Sequence, residues 1–358
     1  MKPIIIAMVL ALCLGLTGCN SWLDGSYTSI TPHAAQQTHI NQGLSTVSTF
    51  QDCINFLTEM TENGRENAVF ALDPANAEDI LEKMDTAIRY VTGSTPIAAF
   101  TVQDISYEVG STAGVQAVGI SVSYNTNQMA IKSMHHAENS VAARTLITDA
   151  LAQCKDRIVI QVKDYTYMDF DKHIREFIAK RPDAVMETPQ VSIRFYPESG
   201  DVRVMDVRFS YQNQLEALRA MQNYVQPVFA AAEMNVRGED AESAKYSRLY
   251  AFLMERNDYR IGVSNTPAYS LLRHGVGDSM AFARVYAAMC QRAGLECYVV
   301  SGSRDGAAWT WNIIRDGERY YHIDLLRADA QGGFQRWSDA EMQGYVWDYS
   351  SYPACGDT

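Results

Sequence analysis

The sequence predicts an α+β protein: two tandem β-α-β-β-α repeats, then a third α+β unit with a different pattern. Three observations predict it. Apolar residues alternate with polar ones along Ile105, Tyr107 and Val109 and along Val118, Ile120, Val122 and Tyr124. The alternation returns along Val191, Ile193 and Phe195 and along Met205, Val207, Phe209 and Tyr211. Period-two patterns of this kind belong to half-buried antiparallel strands. Second, each of these strand pairs is followed at equal spacing by a helical stretch, Ala130 to Met134 after Tyr124 and Ala217 to Met221 after Tyr211. A recurring unit of this length signals an internal repeat. Third, beyond Gly238-Glu239-Asp240 the pattern changes to helices followed by closely spaced short strands.

In chain order, the N-terminus comes first. Lys2 is a minimal positive region, and Pro3 to Leu16 is an apolar run too short to span a bilayer comfortably. It ends Leu16-Thr17-Gly18-Cys19, which resembles the lipobox of bacterial lipoproteins. That resemblance implies cleavage after residue 18 and a diacylglyceryl group on the Cys19 thiol. The expected partner is then the lipid bilayer and the expected location the extracytoplasmic face of the cell membrane, with each buried CH2 of the anchor contributing roughly 0.8 kcal/mol. Residues 19–49 are rich in Ser, Thr, Gln, Gly and Asn and read as a flexible tether.

The first repeat is expected over residues 50–138 and the second over 139–237. Each opens with a helix and a short apolar strand, Ala68–Leu72 and Ile158–Val162. A second helix follows, with Ile80, Leu81, Met84, Ile88 and Val91 on one face in the first unit and Phe170, Ile174, Phe177 and Ile178 in the second. Gly110–Gly114 and Pro197–Asp201 are the hairpin turns. His135-His136 is expected near a helix end, where positive charge suits the dipole. Neither repeat shows a nucleophile–base pairing, a phosphate loop or a metal-ligand spacing, so both read as interaction modules with no cofactor implied.

The last unit, 238–358, carries the chemistry. After the Ala241–Arg256 helix, Thr266 to Leu272 leads into a turn, His274-Gly275-Val276-Gly277-Asp278-Ser279, and an apolar helix from Met280 to Arg292. A strand at Glu296–Ser301 follows, then Ala308–Arg315 and Glu318–Leu325 joined by Asp316-Gly317, a hairpin dipeptide. A residue on a sharp turn at the start of a buried helix, with strands beside it, is the papain-like framework. There a Cys thiolate is stabilised by the helix dipole and by a strand-borne His, which a carboxylate orients.

Ala268-Tyr269, Gly275 to Ala283, Ala293 to Cys297, Gly302, Trp309-Thr310-Trp311-Asn312 and Tyr320-Tyr321-His322-Ile323-Asp324 together resemble the transglutaminase-like (transglutaminase/protease core) domains of bacterial secreted proteins. The resemblance implies the papain-like/transglutaminase-like α+β fold. It also implies a Cys–His–Asp triad, and here the chain departs from it. Ser279 stands where the Cys belongs, Trp309 where the His belongs, and only Asp324 is kept. A hydroxyl is a poor nucleophile without a base, and an indole nitrogen only donates. The resulting expectation is a catalytically degenerate domain that binds a peptide, a protein partner or a peptidoglycan component. Ser279, Trp309, Trp311 and Asp324 are its ligand-cleft candidates. The alternative is a residual hydrolase or acyltransferase with Ser279 as nucleophile and His322 or His274 as base. His322, two residues from Asp324, would share its strand face. Trp309 has two readings, a plug in the vacated cleft or an aromatic platform for a ligand. Leu325-Leu326 replaces the Thr-Trp pair that the resemblance leads one to expect.

A net charge of −12 argues against a nucleic-acid partner, whose binders need a basic stripe. The tail aromatics Trp337, Tyr345, Trp347, Tyr349 and Tyr352 suggest core packing or a ligand groove. Of seven cysteines, Cys13 would leave with the signal and Cys19 would be acylated. Among Cys53, Cys154, Cys290, Cys297 and Cys355, two pairings are open: Cys290 with Cys297, and Cys53 with Cys154. Nothing resembles a zinc spacing.

Overall fold

The computed structural model describes residues 44–356 apart from 113, 127, 240 and 263. The expected lipobox and Cys19 therefore lie outside the described residues. No helix among those described is long and apolar enough to cross a membrane.

The first unit runs β1 (Thr46–Val47), α1 (Phe50–Glu62), β2 (Asn67–Leu72), α2 (Ala77–Glu82), α3 (Met84–Ser94), α4 (Pro96–Thr101), β3 (Val102–Thr112), β4 (Val115–Tyr124) and α5 (Gln128–Lys132). Thr49 caps α1 in a reciprocal box with Asp52, and Cys53, Ile54, Leu57 and Met60 form its buried stripe. The second unit runs β5 (His135–Asn139), α6 (Ser140–Ala152), β6 (Arg157–Asp164), α7 (Phe170–Lys180), β7 (Gln190–Tyr196) and β8 (Arg203–Ser210), followed by α8 (Leu215–Asn235).

The two sheets share one plan. Their strand orders are β1-β2-β4-β3 and β5-β6-β8-β7, and in each the first pair is parallel and the other two antiparallel. The registers correspond as well. Ile105 faces Val122 as Val191 faces Phe209, and Asn67 faces Ser121 as Arg157 faces Arg208.

Several expectations need correction. The segment around Thr46 is a strand paired with β2, so the tether does not extend to residue 49. His135-His136 follows closely on the end of α5 at Lys132 but begins strand β5, which moves the start of the second unit ahead of residue 139. The helix expected through Ile80 and Val91 is two helices, interrupted at Lys83. Finally, α8 follows the second sheet in sequence but buries Leu218, Val225, Phe229 and Ala232 in the C-terminal core. By packing it belongs with the last unit, ahead of the expected boundary at 238.

That unit continues with α9 (Glu242–Met254), β9 (Asp258–Tyr259), α10 (Pro267–His274), β10 (Val276–Gly277), α11 (Ser279–Arg292), β11 (Cys297–Arg304), β12 (Ala307–Asp316), β13 (Arg319–Ile323), α12 (Leu325–Ala330) and β14 (Tyr345–Val346). Its sheet has the order β13-β12-β11-β14, antiparallel throughout. α11 is buried on nearly every side, with Phe282, Val285, Tyr286, Met289 and Cys290 all inside. Each of the larger of these stabilises the fold by about 1.5–3 kcal/mol. Tyr246 of α9 ties helix to sheet by donating from its hydroxyl to the carbonyls of Glu296 and Arg315. On the sheet, Gly302 is required by close approach: a Cβ there would lie 2.2 Å from the Val346 carbonyl and 3.0 Å from the Trp311 ring.

Candidate functional site

Two features set the start of α11. Gly275 closes α10 in the left-handed conformation, φ 72°, and β10 pairs in parallel with β9, Val276 opposite Asp258 and Gly277 opposite Tyr259. Asp278 then caps α11, accepting from the Ala281 N–H at 2.8 Å. Ser279 is thereby the first helical residue, at the positive end of the dipole, where an oxyanion or thiolate is stabilised. Its Oγ accepts a hydrogen bond from the Thr310 backbone N–H at 3.3 Å. Among the described residues no side-chain acceptor takes its proton.

Asp324 sits just past the end of β13 and is 1% exposed. One oxygen, Oδ1, caps α12 through the N–H groups of Leu326 and Arg327 at 3.1 and 3.2 Å. The other, Oδ2, accepts from the Trp309 indole N–H at 2.9 Å and the Tyr345 hydroxyl at 2.5 Å, with Arg304 at 3.4 Å. Burial, and then the adjacent Asp324, raise the Tyr345 pKa, so its phenol stays a donor. The Trp309 ring is held on two further sides, by the Arg304 guanidinium 5.3 Å from its centroid and by Tyr259 at 5.5 Å. It is half-buried. This packing favours the plug reading of Trp309 over an open platform.

The two histidines considered as bases do not meet Ser279. His322 is fully buried. Its Nδ1 accepts from the Trp311 indole N–H at 3.0 Å, which leaves the proton on Nε2, 2.8 Å from an Asp339 oxygen. Burial lowers the His322 pKa, against a smaller upward pull from Asp339, so the ring is a neutral link between Trp311 and Asp339. The expected shared face with Asp324 fails because Asp324 lies beyond the strand, in a helix cap where alternation no longer applies. His274 ends α10, exposed, with its ring edge-on to Tyr269 at 5.5 Å.

Two of the four cleft candidates are corrected. Trp311 and Asp324 are each 1% exposed, too deep to touch a ligand. Trp311 packs against Tyr345 and Trp347 at 5.1 and 5.7 Å, so Trp337, Tyr345 and Trp347 are core, whereas Tyr349 is exposed. The open space adjoins the turn ahead of α11, and neither Ser279 nor Trp309 is among the residues that line it. A pocket of about 160 Å³ is bounded by Arg260, Ser264, Pro267, Ser270, Gly277 and Asp278. The sequence signal that could have located it is the Gly277-Asp278 cap and the Ser264/Ser270 pair, whose hydroxyls bond at 2.6 Å.

One convergence of metal-ligating types was invisible in the sequence. His322, Asp339 and Cys355 bring ligand atoms within 4.8 Å of one another. The tautomer argues against an ion there, since a metal-bound histidine usually donates its second N–H outward. Here Nδ1 is an acceptor, and Nε2 carries the hydrogen that an ion would displace. Burial, then Asp339, push the Cys355 thiol up to about 12, which keeps it protonated. The Cys355 backbone N–H also donates to Asp339. The trio anchors the C-terminus to β13.

Cys53 lies in the first core, its thiol 3.4 Å from the Met84 sulfur, and Cys154 packs in the C-terminal core. Their pairing is excluded because separate cores hold them.

Residues 230–347 match the family model of the transglutaminase-like superfamily. The chain therefore contains a transglutaminase-like domain. No curated protein matches it. Among solved structures, one similar chain is a TGase, at 11% identity and TM-score 0.29, covering 53% of this chain and 56% of that one. The chain thus spans only about half the length of that relative. A Cytophaga hutchinsonii protein described as a cysteine protease aligns at 12% identity and TM-score 0.25, over 44% of this chain and 70% of its own.

Proposed function

We propose, from the presence of a transglutaminase-like domain, that this chain is a membrane-anchored surface lipoprotein in which that domain no longer catalyses. It binds a peptide, protein or cell-wall ligand at the pocket bounded by Gly277 and Asp278 at the start of α11. The observation that carries the reading is the 2.9 Å hydrogen bond from the Trp309 indole to Asp324. A catalytic carboxylate orients a ring that can take the nucleophile's proton; this one holds a ring that has no lone pair to take it with. Ser279 has the helix terminus but no base.

The pocket supports binding of a small polar group. It offers the exposed Arg260 guanidinium, two hydroxyls and a helix N-terminus. Anchoring rests on the lipobox resemblance at Cys19. The two N-terminal units are read as tandem repeats, a reading supported by their matching strand orders and registers, and their role is to present or extend the binding surface.

A fluorophosphonate probe tests the silent domain. The expected outcome is no adduct at Ser279 by peptide mapping. An adduct that disappears in Ser279→Ala would establish the hydrolase alternative instead. Thermal-shift screening of muropeptides and short peptides tests the binding role, because a ligand specific for the native state raises the melting point. A hit should weaken in Arg260→Ala.

A further inference from the structure

We propose that a narrow slot walled by α7, residues 182–188, α10 and α11 is a carboxylate subsite with Arg284 as its cation. It serves a ligand whose body occupies the pocket bounded by Gly277 and Asp278, and so rests on the reading of that pocket as a binding site. Ile178, Val185, Met186 and Val285 make the walls of the slot apolar, while Thr188 and Arg284 supply polar side chains. Pro267 and Ala281 border both spaces, so the two lie side by side. Size divides their roles. The slot holds about 20 Å³ and its neighbour about 160 Å³. A single water needs roughly 10–15 Å³, so the slot admits only the oxygen end of a ligand and the pocket takes the rest.

Arg284 lies in this slot without a counter-charge. Its Nε is sealed from solvent and meets no acceptor, unlike a snorkelling arginine, which keeps its head in water. The buried acids of the adjoining segment are committed elsewhere. Asp183 pairs with Arg181 at 2.8 Å and with Arg292 at 3.7 Å. Glu187 accepts from the Gln212 and Asn213 backbone N–H groups. Asp278 caps α11 and acts on Arg284 only through its field. Burial pulls the Arg284 pKa down, against a smaller upward pull from Asp278, yet a guanidinium stays charged in a protein. An uncompensated buried cation destabilises the fold. A planar carboxylate accepting from the guanidinium fork offsets that cost.

The test titrates the full-length chain, in detergent micelles, with three probes by calorimetry. They are acetyl-alanyl-alanine, its C-terminal amide, and acetyl-glutamyl-alanine amide, whose carboxylate is on a side chain. At least one acid is expected to bind about tenfold tighter than the uncharged amide, and which acid does so identifies the source of the carboxylate. Arg284→Met should erase that preference and raise the melting point of the unliganded chain, because an unpaired buried charge is gone. Arg284→Lys should keep part of the preference. An arginine with a structural role alone would leave the preference intact and melt lower on replacement. Equal affinities for acids and amide, or a preference that persists in Arg284→Met, overturn the subsite and leave the pocket reading standing. Binding of none of the three overturns both.

Discussion

Two carboxylate–ring pairs lie at one end of the C-terminal sheet, and their chemistry is inverted. At Asp324 the ring is an indole, Trp309, whose N–H points at the acid. At Asp339 the ring is an imidazole, His322, sealed between the acid and a second indole, Trp311. The ring that can carry a proton is buried between Trp311 and Asp339, away from Ser279. The ring on β12, next to the residue whose N–H meets Ser279, cannot carry one. Retention of the carboxylate therefore does not report retention of catalysis, because Asp324 has structural work in capping α12 and gathering Trp309, Tyr345 and Arg304.

The two acids differ most in what their loss costs. Asp324→Ala strands two backbone N–H groups, an indole, a phenol and a guanidinium, and should destabilise by about 3–5 kcal/mol in urea unfolding. Asp339→Asn keeps an acceptor near His322 in a half-exposed setting, with an expected loss of about 1 kcal/mol. Equal losses would break the contrast. Gly302→Ala comes next, at about 1–3 kcal/mol, because its Cβ meets the Val346 carbonyl and the Trp311 ring that backs His322.

The sealed imidazole gives a pH signature. Its folded pKa lies below the ordinary 6.5, so below that value the unfolded chain binds more protons than the native one. The contribution is fully present above 6.5 and is lost as pH falls through 6.5 toward the folded value. Thermal melts should show His322→Gln with a shallower acid loss than wild type, though from a lower starting point. The smallest effect is expected at His274→Ala, within about 0.5 kcal/mol, since its ring meets only Tyr269 at the surface.

Much of this was legible in the sequence. Helix α11 and strands β11 to β13 announced themselves through apolar periodicity, the Asp316-Gly317 turn and the small residues around Ser279. The registers of both N-terminal hairpins agree with the alternations of Ile105 with Val122 and Val191 with Phe209. What escaped is what periodicity does not encode. β1 has only two residues, and β5 reads His-His-Ala-Glu-Asn, too polar to look like a strand. The depth of Trp311 depends on Gly302 of the neighbouring strand. The anchoring of His322 by Asp339 and Cys355 joins residues far apart in the chain, which no local pattern could pair.

On the proposed reading, Trp309 stands in the imidazole's place and leaves residue 279 unactivated. Its most direct test measures iodoacetamide alkylation at residue 279 as a function of pH, in Ser279→Cys and in Ser279→Cys/Trp309→His, with peptide mapping to separate that site from the other thiols. Alkylation at neutral pH is expected to be slow in the single variant and markedly faster, with a lowered apparent thiol pKa, in the double variant. Equal rates and equal pH profiles in the two would contradict it.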